Sequence, residues 1–166
     1  MATRKISFGL SPDAIKDAVD YLETYKKWVN QKIDELMIRL AAVGLETARV
    51  YFQQGATEGN EAPETWVEPI ENGFKIIANG KDVFFIEFGA GVTMGYGHPE
   101  PGPYGPGTYP GQTHAETGKG WWFKDHEGET EFAHHTYGNP PSMTMYLTAK
   151  DLRAEIEQVA REVFNS

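Results

Sequence analysis

Five histidines, His98, His114, His126, His134 and His135, fall in the second half of a 166-residue chain near Glu116, Asp125, Glu127, Glu129 and Glu131. Imidazoles beside carboxylates are the donor set of a metal centre, but such a centre needs ligands at a workable spacing. There is no HExxH, and neighbouring His134 and His135 in a strand point to opposite faces. Solvated loop and sheet-surface histidines are the reading the spacing supports, and no metal is expected. Glu127, Glu129 and Glu131 alternate, so an extended segment places them on one face, where paired carboxylates can flank a substrate. With no nucleophile nearby, the same alternation reads as charge protecting a strand edge.

Gly89-Ala90-Gly91 and Gly95-Tyr96-Gly97 lack both GxxxxGK[ST] and GxGxxG, and no helix signal follows them to receive an anion. None of Ser7, Ser11, Ser142 and Ser166 stands in a GxSxG setting. The chain has no cysteine, which removes disulfides, thiolate metal sites and thiol nucleophiles together. Neither a catalytic group nor a cofactor is expected. A net charge of -9 argues against gripping nucleic acid, whose affinity comes largely from counterions released by basic side chains. The N-terminus turns polar before any apolar run of signal-peptide length, and no stretch approaches about 18 consecutive apolar residues. A cytosolic product without a membrane anchor is the expectation.

The elements that position these residues follow from local patterns. At this length one domain, 1–166, is expected, and a composition of 40% hydrophobic and 23% charged residues suits a folded chain. Arg4 to Gly9 is compatible with an edge strand. Ser11-Pro12-Asp13 then marks a helix start: a capping hydroxyl, a proline suited to the first turn and a carboxylate at the positive end of the dipole. Ile15, Val19, Leu22, Val29, Ile33, Leu36, Leu40 and Leu45 form an apolar stripe that runs to about Phe52. Forty helical residues span roughly 60 Å. That is too long to cover from end to end, so a bend near Trp28 to Gln31 is expected, with Asn30 capping a second segment.

Gly55 to Pro63 reads as an exposed loop. Trp66–Ile70, Phe74–Ala78 and Val83–Phe88 read as three strands of an antiparallel meander, turned at Glu71-Asn72-Gly73 and Asn79-Gly80, with Pro69 assigning the first to a sheet edge. Residues 89–120 hold 10 of the 18 glycines and 5 of the 10 prolines, with Tyr96, Tyr104 and Tyr109 among them. This is expected to be a mobile loop within the domain, of the length that usually carries function or is disordered. Trp121-Trp122-Phe123 restarts a strand and sends one indole inward to the core. The other indole either packs under the loop or anchors an interface. Ser142 is the expected cap of a closing helix with the stripe Met145, Leu147, Leu152, Ile156, Val159, Ala160 and Val163, packed across the sheet. The whole is expected to be α+β: a long N-terminal helix and a C-terminal helix on an antiparallel sheet of about four to five strands, with one long Gly/Pro-rich loop.

The run from Phe84 to Gly91, FFIEFGAG, resembles the strand-end motif of bacteriophage head-to-tail connector proteins, also called tail-completion or neck proteins. A glycine-rich loop, GKGWWF at 118–123 with Asp125, and Pro140-Pro141-Ser142-Met143 leading through Ala149 into a closing helix are similar in order and spacing, as is the helix pattern around Tyr25-Lys26-Lys27-Trp28. The family often has TG-x-L before its first sheet strand, where this chain has Gly55-Ala56-Thr57-Glu58-Gly59. The resemblance implies a structural virion protein of a long-tailed phage or prophage, assembled in the host cytoplasm as a homo-oligomeric ring. Other neck proteins and tail-tube proteins would be its partners, and DNA would pass through without specific binding. A lumen of net negative charge would let DNA slide. The candidate assembly residues are Glu87, Phe88, Gly89, Gly91, Tyr96, Tyr104, Tyr109, Trp121 and Trp122. The alternatives are a metal-dependent hydrolase using His114, Glu116, His126, His134 or His135, and a carbohydrate- or peptide-binding module that stacks ligands on its tyrosines and tryptophans.

Overall fold

A computed structural model describes residues 9–56, 60–91, 97–100, 118–123 and 134–166. Ser11 starts the first helix as its residue type requires: its hydroxyl accepts from the Ala14 N–H at 3.2 Å and its carbonyl from the Ile15 N–H at 3.0 Å. The helix α1 then runs without interruption over Pro12–Gly55. Asn30 lies in its interior and caps nothing, so the expected second segment does not exist. The length argument is met differently. The C-terminal half is packed, with Gly44, Ala48 and Phe52 buried, whereas Ile15, Val19, Tyr21, Leu22 and Tyr25 are each 44–52% exposed. A long helix need not bend when part of it is left uncovered.

Two strands, β1 (Glu64–Ile70) and β2 (Gly73–Asn79), form an antiparallel hairpin that pairs Ile70 with Gly73, Val67 with Ile76 and Glu64 with Asn79. Glu71 and Asn72 are its turn, as the sequence indicates. Arg49 ties the hairpin to α1 by donating to the Thr65 hydroxyl and carbonyl, both at 3.3 Å. Gly44 lets Ile76 of the hairpin and Leu152 of the last helix approach α1 together, since a Cβ there would press on both side chains.

The third expected strand is a helix, α2 (Val83–Phe88). VFFIEF has five apolar residues and one carboxylate, a run too short and too uniform to choose between a period of 2 and one of 3.6. Helical geometry buries Ile86 and Glu87 side by side, and partners elsewhere in the chain exist for both. The Asn79-Gly80 turn therefore leads into α2 rather than into a strand. Asp82, at its start, is buried and accepts from the Glu61 N–H at 2.9 Å, which pins the segment entering β1.

Two three-residue strands, β3 (Trp121–Phe123) and β4 (His134–Thr136), pair separately from the first hairpin. Among the described residues there are thus two two-stranded sheets, and the single sheet of four to five strands is not formed. The last helix, α3 (Thr144–Asn165), packs chiefly antiparallel along α1 rather than across a sheet. Trp28 meets Phe164 edge-on at 5.9 Å, and the Tyr51 hydroxyl donates to Asp151 at 2.6 Å. The fold is α+β. Its core lies where the end of α1, α2 and the start of α3 meet: Phe52, Ile86, Thr144 and Thr148 are each under 3% exposed. No helix among the described residues is long and apolar enough to cross a membrane. The expected Arg4–Gly9 strand lies almost wholly outside the described residues.

Candidate functional site

The helix α3 has a poor start of its own. Its N-cap position is Met143, in left-handed geometry (φ 55°, ψ 36°) and with no side-chain oxygen to receive the first amides. The expected cap, Ser142, does not serve. Glu87, 57 residues earlier in the chain, supplies the missing acceptor: Oε2 accepts from the Thr144 hydroxyl and the Met145 N–H, both at 2.7 Å, and Oε1 from the Tyr146 N–H at 3.1 Å. A carboxylate at a helix N-terminus also complements the positive end of the dipole. The carboxylate is 8% exposed, and these bonds are what make its burial tolerable.

The remaining approach to Oε1 is taken by His98, whose Nε2 lies 3.1 Å away. Its Nδ1 accepts from the Glu100 N–H at 3.0 Å, which assigns the ring proton to Nε2 and makes that nitrogen the donor to Glu87. The imidazole sits between Phe88, at 4.7 Å, and Tyr146, at 5.7 Å. Glu87 thus meets four donors, the full capacity of a carboxylate. Its chemistry is that of a lock, with no lone pair left for a substrate.

The backbone completes the junction. At the end of α2 the Phe85 carbonyl accepts from the Gly89 N–H at 3.0 Å, and the segment before α3 supplies further donors: Asn139 Nδ2 to the same Phe85 carbonyl at 2.8 Å, the Ser142 N–H to Ile86 at 2.8 Å and the Met143 N–H to Glu87 at 3.1 Å. Ala90 and Asn139 exchange both backbone bonds, at 2.9 and 3.1 Å. Residues 91–138 leave and return through this one gate. Gly138 (φ 101°) and Gly91 (φ 81°) make the closeness possible, because a Cβ on either would overlap a backbone carbonyl, that of Ala90 or that of Tyr137.

The excursion carries β3 and β4 near its root. Trp121 is half-buried, while Trp122 is 69% exposed and meets His135 edge-on at 5.0 Å. His135 in turn meets exposed Tyr137 at 4.9 Å. The outer indole is therefore largely open.

Of the sequence candidates, Glu87, Phe88, Gly89 and Gly91 come together in the junction, with Gly89 (φ 75°) ending α2. Trp121 and Trp122 stand on β3, and Tyr96, Tyr104 and Tyr109 lie outside the described residues. So do His114, Glu116, Asp125, His126, Glu127, Glu129 and Glu131, and most of the 89–120 loop. No three metal-binding side chains gather among the described residues. The sequence reading of His98 as a solvated histidine is corrected, since its side chain is 5% exposed against Glu87, and Asn139 and Thr144 were missed. The one signal available for Thr144 was a helix onset at Met143-Thr144 with no capping side chain in register. No family model matches the chain, and no curated protein and no solved structure matches it.

Proposed function

We propose that this chain is a structural subunit of the head-to-tail connector of a long-tailed bacteriophage or prophage, acting by homo-oligomeric ring assembly and contacts with neighbouring neck and tail-tube proteins. One observation carries the reading. Two of the segments that carry the resemblance, FFIEFGAG and Pro140-Pro141-Ser142-Met143, are the two halves of the Glu87 junction, joined by bonds from Asn139, Ser142, Met143 and Thr144. Their pairing gives those short motifs a shared physical task, which is to hold together the points at which the chain leaves and rejoins the junction, Ala90 and Asn139. A braced junction with an exposed aromatic cluster beside it suits a protein that works by contacting adjacent subunits.

In this reading Trp122, His135 and Tyr137 anchor a neighbour, and the acidic balance of the chain keeps passing DNA from sticking. The protein acts in the virion after assembly in the host cytoplasm. Deleting its gene from the phage or prophage that carries it tests this directly: DNA-filled heads and separate tails are expected in electron micrographs. Joined, infective particles without the protein would overturn the reading. A locus encoding portal, capsid and tail-tube proteins beside it is the expected genomic setting.

A further inference from the structure

The helix α3 ends at Asn165, beside Trp28 and Lys32, where Phe164 meets Trp28 and the Ser166 hydroxyl accepts from Lys32 at 2.8 Å. From there α1 continues past the end of α3 back to Pro12, roughly 16 residues and about 24 Å. On this end Ile15, Ala18, Val19, Tyr21, Leu22 and Tyr25 share about half the helix circumference, with Lys26 among them between Ile15 and Val19, and Asp13, Lys16, Asp17, Asp20, Glu23 and Lys27 share the other half. Leu10, at the position from which a side chain ordinarily folds onto Ile15, is instead 91% exposed and extends the patch.

We propose that this free end of α1 pairs antiparallel with the same segment of a second copy of the chain. Register and length both select that occupant. An antiparallel pair centred near Asp20 sets Ile15 against Tyr25 and small Ala18 against Leu22 of the other copy, so large side chains face small ones or interlock along the seam. The same register brings Pro12 of one copy beside Trp28 of the other, where α3 stops. Since α3 runs antiparallel to α1, the second copy's α1 continues α3's course. It also presents a positive helix N-terminus to α3's negative C-terminus. The five large side chains leave about 500 Å² per copy open, and a pair that covered all of it would total ~1,000 Å², the lower bound of a specific interface. The contact is isologous and closes at two copies, so it belongs to the free chain and does not rest on the connector reading.

Sedimentation equilibrium of the full chain across about 1–100 µM tests it. The mass is expected to rise from 18.6 kDa toward twice that value. Leu22→Glu is expected to stay at one chain throughout with an unchanged circular dichroism spectrum, because Leu22 is 52% exposed within the chain. The absence of native cysteine allows a second measurement. Ile15→Cys mixed with Tyr25→Cys is expected to form the mixed disulfide in preference to either self-linked dimer. A single-chain mass over the whole range, a mass unaffected by Leu22→Glu, or preferential self-linking of Ile15→Cys would each overturn the pairing.

Discussion

The Glu87 junction and the free end of α1 are built on opposite terms. At the junction, polar groups that would be costly to bury are brought together until each has a partner: a carboxylate with four donors, and three carbonyls at the end of α2 with donors from 139–143. Along residues 12–27 the apolar side chains Ile15, Val19, Tyr21, Leu22 and Tyr25 stay 44–52% exposed, because α3 is half the length of α1, 22 residues against 44. The first region is complete within one chain and holds its shape alone. The second is complete only when something else covers it.

The strongest way to break this comparison is at the carboxylate. Glu87→Ala leaves the Thr144 hydroxyl and the Met145 and Tyr146 amides without an acceptor in a buried site, and a loss of about 3–5 kcal/mol is expected in urea denaturation. Glu87→Gln should recover only part of that, because its amide nitrogen would face donors. A loss under about 1 kcal/mol for Glu87→Ala would mean the junction is not a closed unit.

Gly138→Ala comes next. The new Cβ meets the Ala90 carbonyl at a φ of 101°, and backbone cannot yield as a side-chain tip can, so about 2–3 kcal/mol should be lost. The β3–β4 hairpin should loosen with it, visible as faster amide exchange at Trp121 and Thr136.

The bond between Tyr51 and Asp151 lies between the two regions and responds to pH. The hydrogen bond to Asp151 holds the phenol above its ordinary range, assisted by burial and by the carboxylate's charge. A raised folded value favours the neutral form, so the stability it contributes is fully present below the unfolded value of about 10 and is lost as pH rises through the folded value. The stability gap between the native chain and Tyr51→Phe should therefore be constant at neutral pH and close in alkali. A gap unchanged by alkali would detach this bond from the packing of α1 on α3.

The smallest effect is expected at the free end. Val19→Ser, at a side chain 48% exposed, should change the stability of the single chain by no more than about 0.5 kcal/mol, measured at a dilution where copies do not associate. A large loss there would show that the patch is already in use within the chain.

Several features were legible because they depend on neighbours a few residues apart. Ser11 caps its own third amide onward, the apolar stripe repeats over three and four residues, and Glu71-Asn72 closes a two-residue turn. The motif at 84–91 was singled out as important, yet it was read as a strand. Within six residues neither period is established, and the bonds that decide the matter come from Asn139, Ser142 and Met143. His98 is one of five histidines in the sequence, and nothing in its spacing to Glu87 marks it as the one that is buried against that carboxylate.

Taken alone, the sequence determined the local events: where α1 begins, where the first hairpin turns and that a helix closes the chain. The tertiary structure alone decided that VFFIEF is helical, that Glu87 rather than Ser142 caps α3, and that α1 runs on past its cover instead of bending. Local rules act through bonds a few residues long, whereas the position of a buried charge is settled by whichever distant donors can satisfy it.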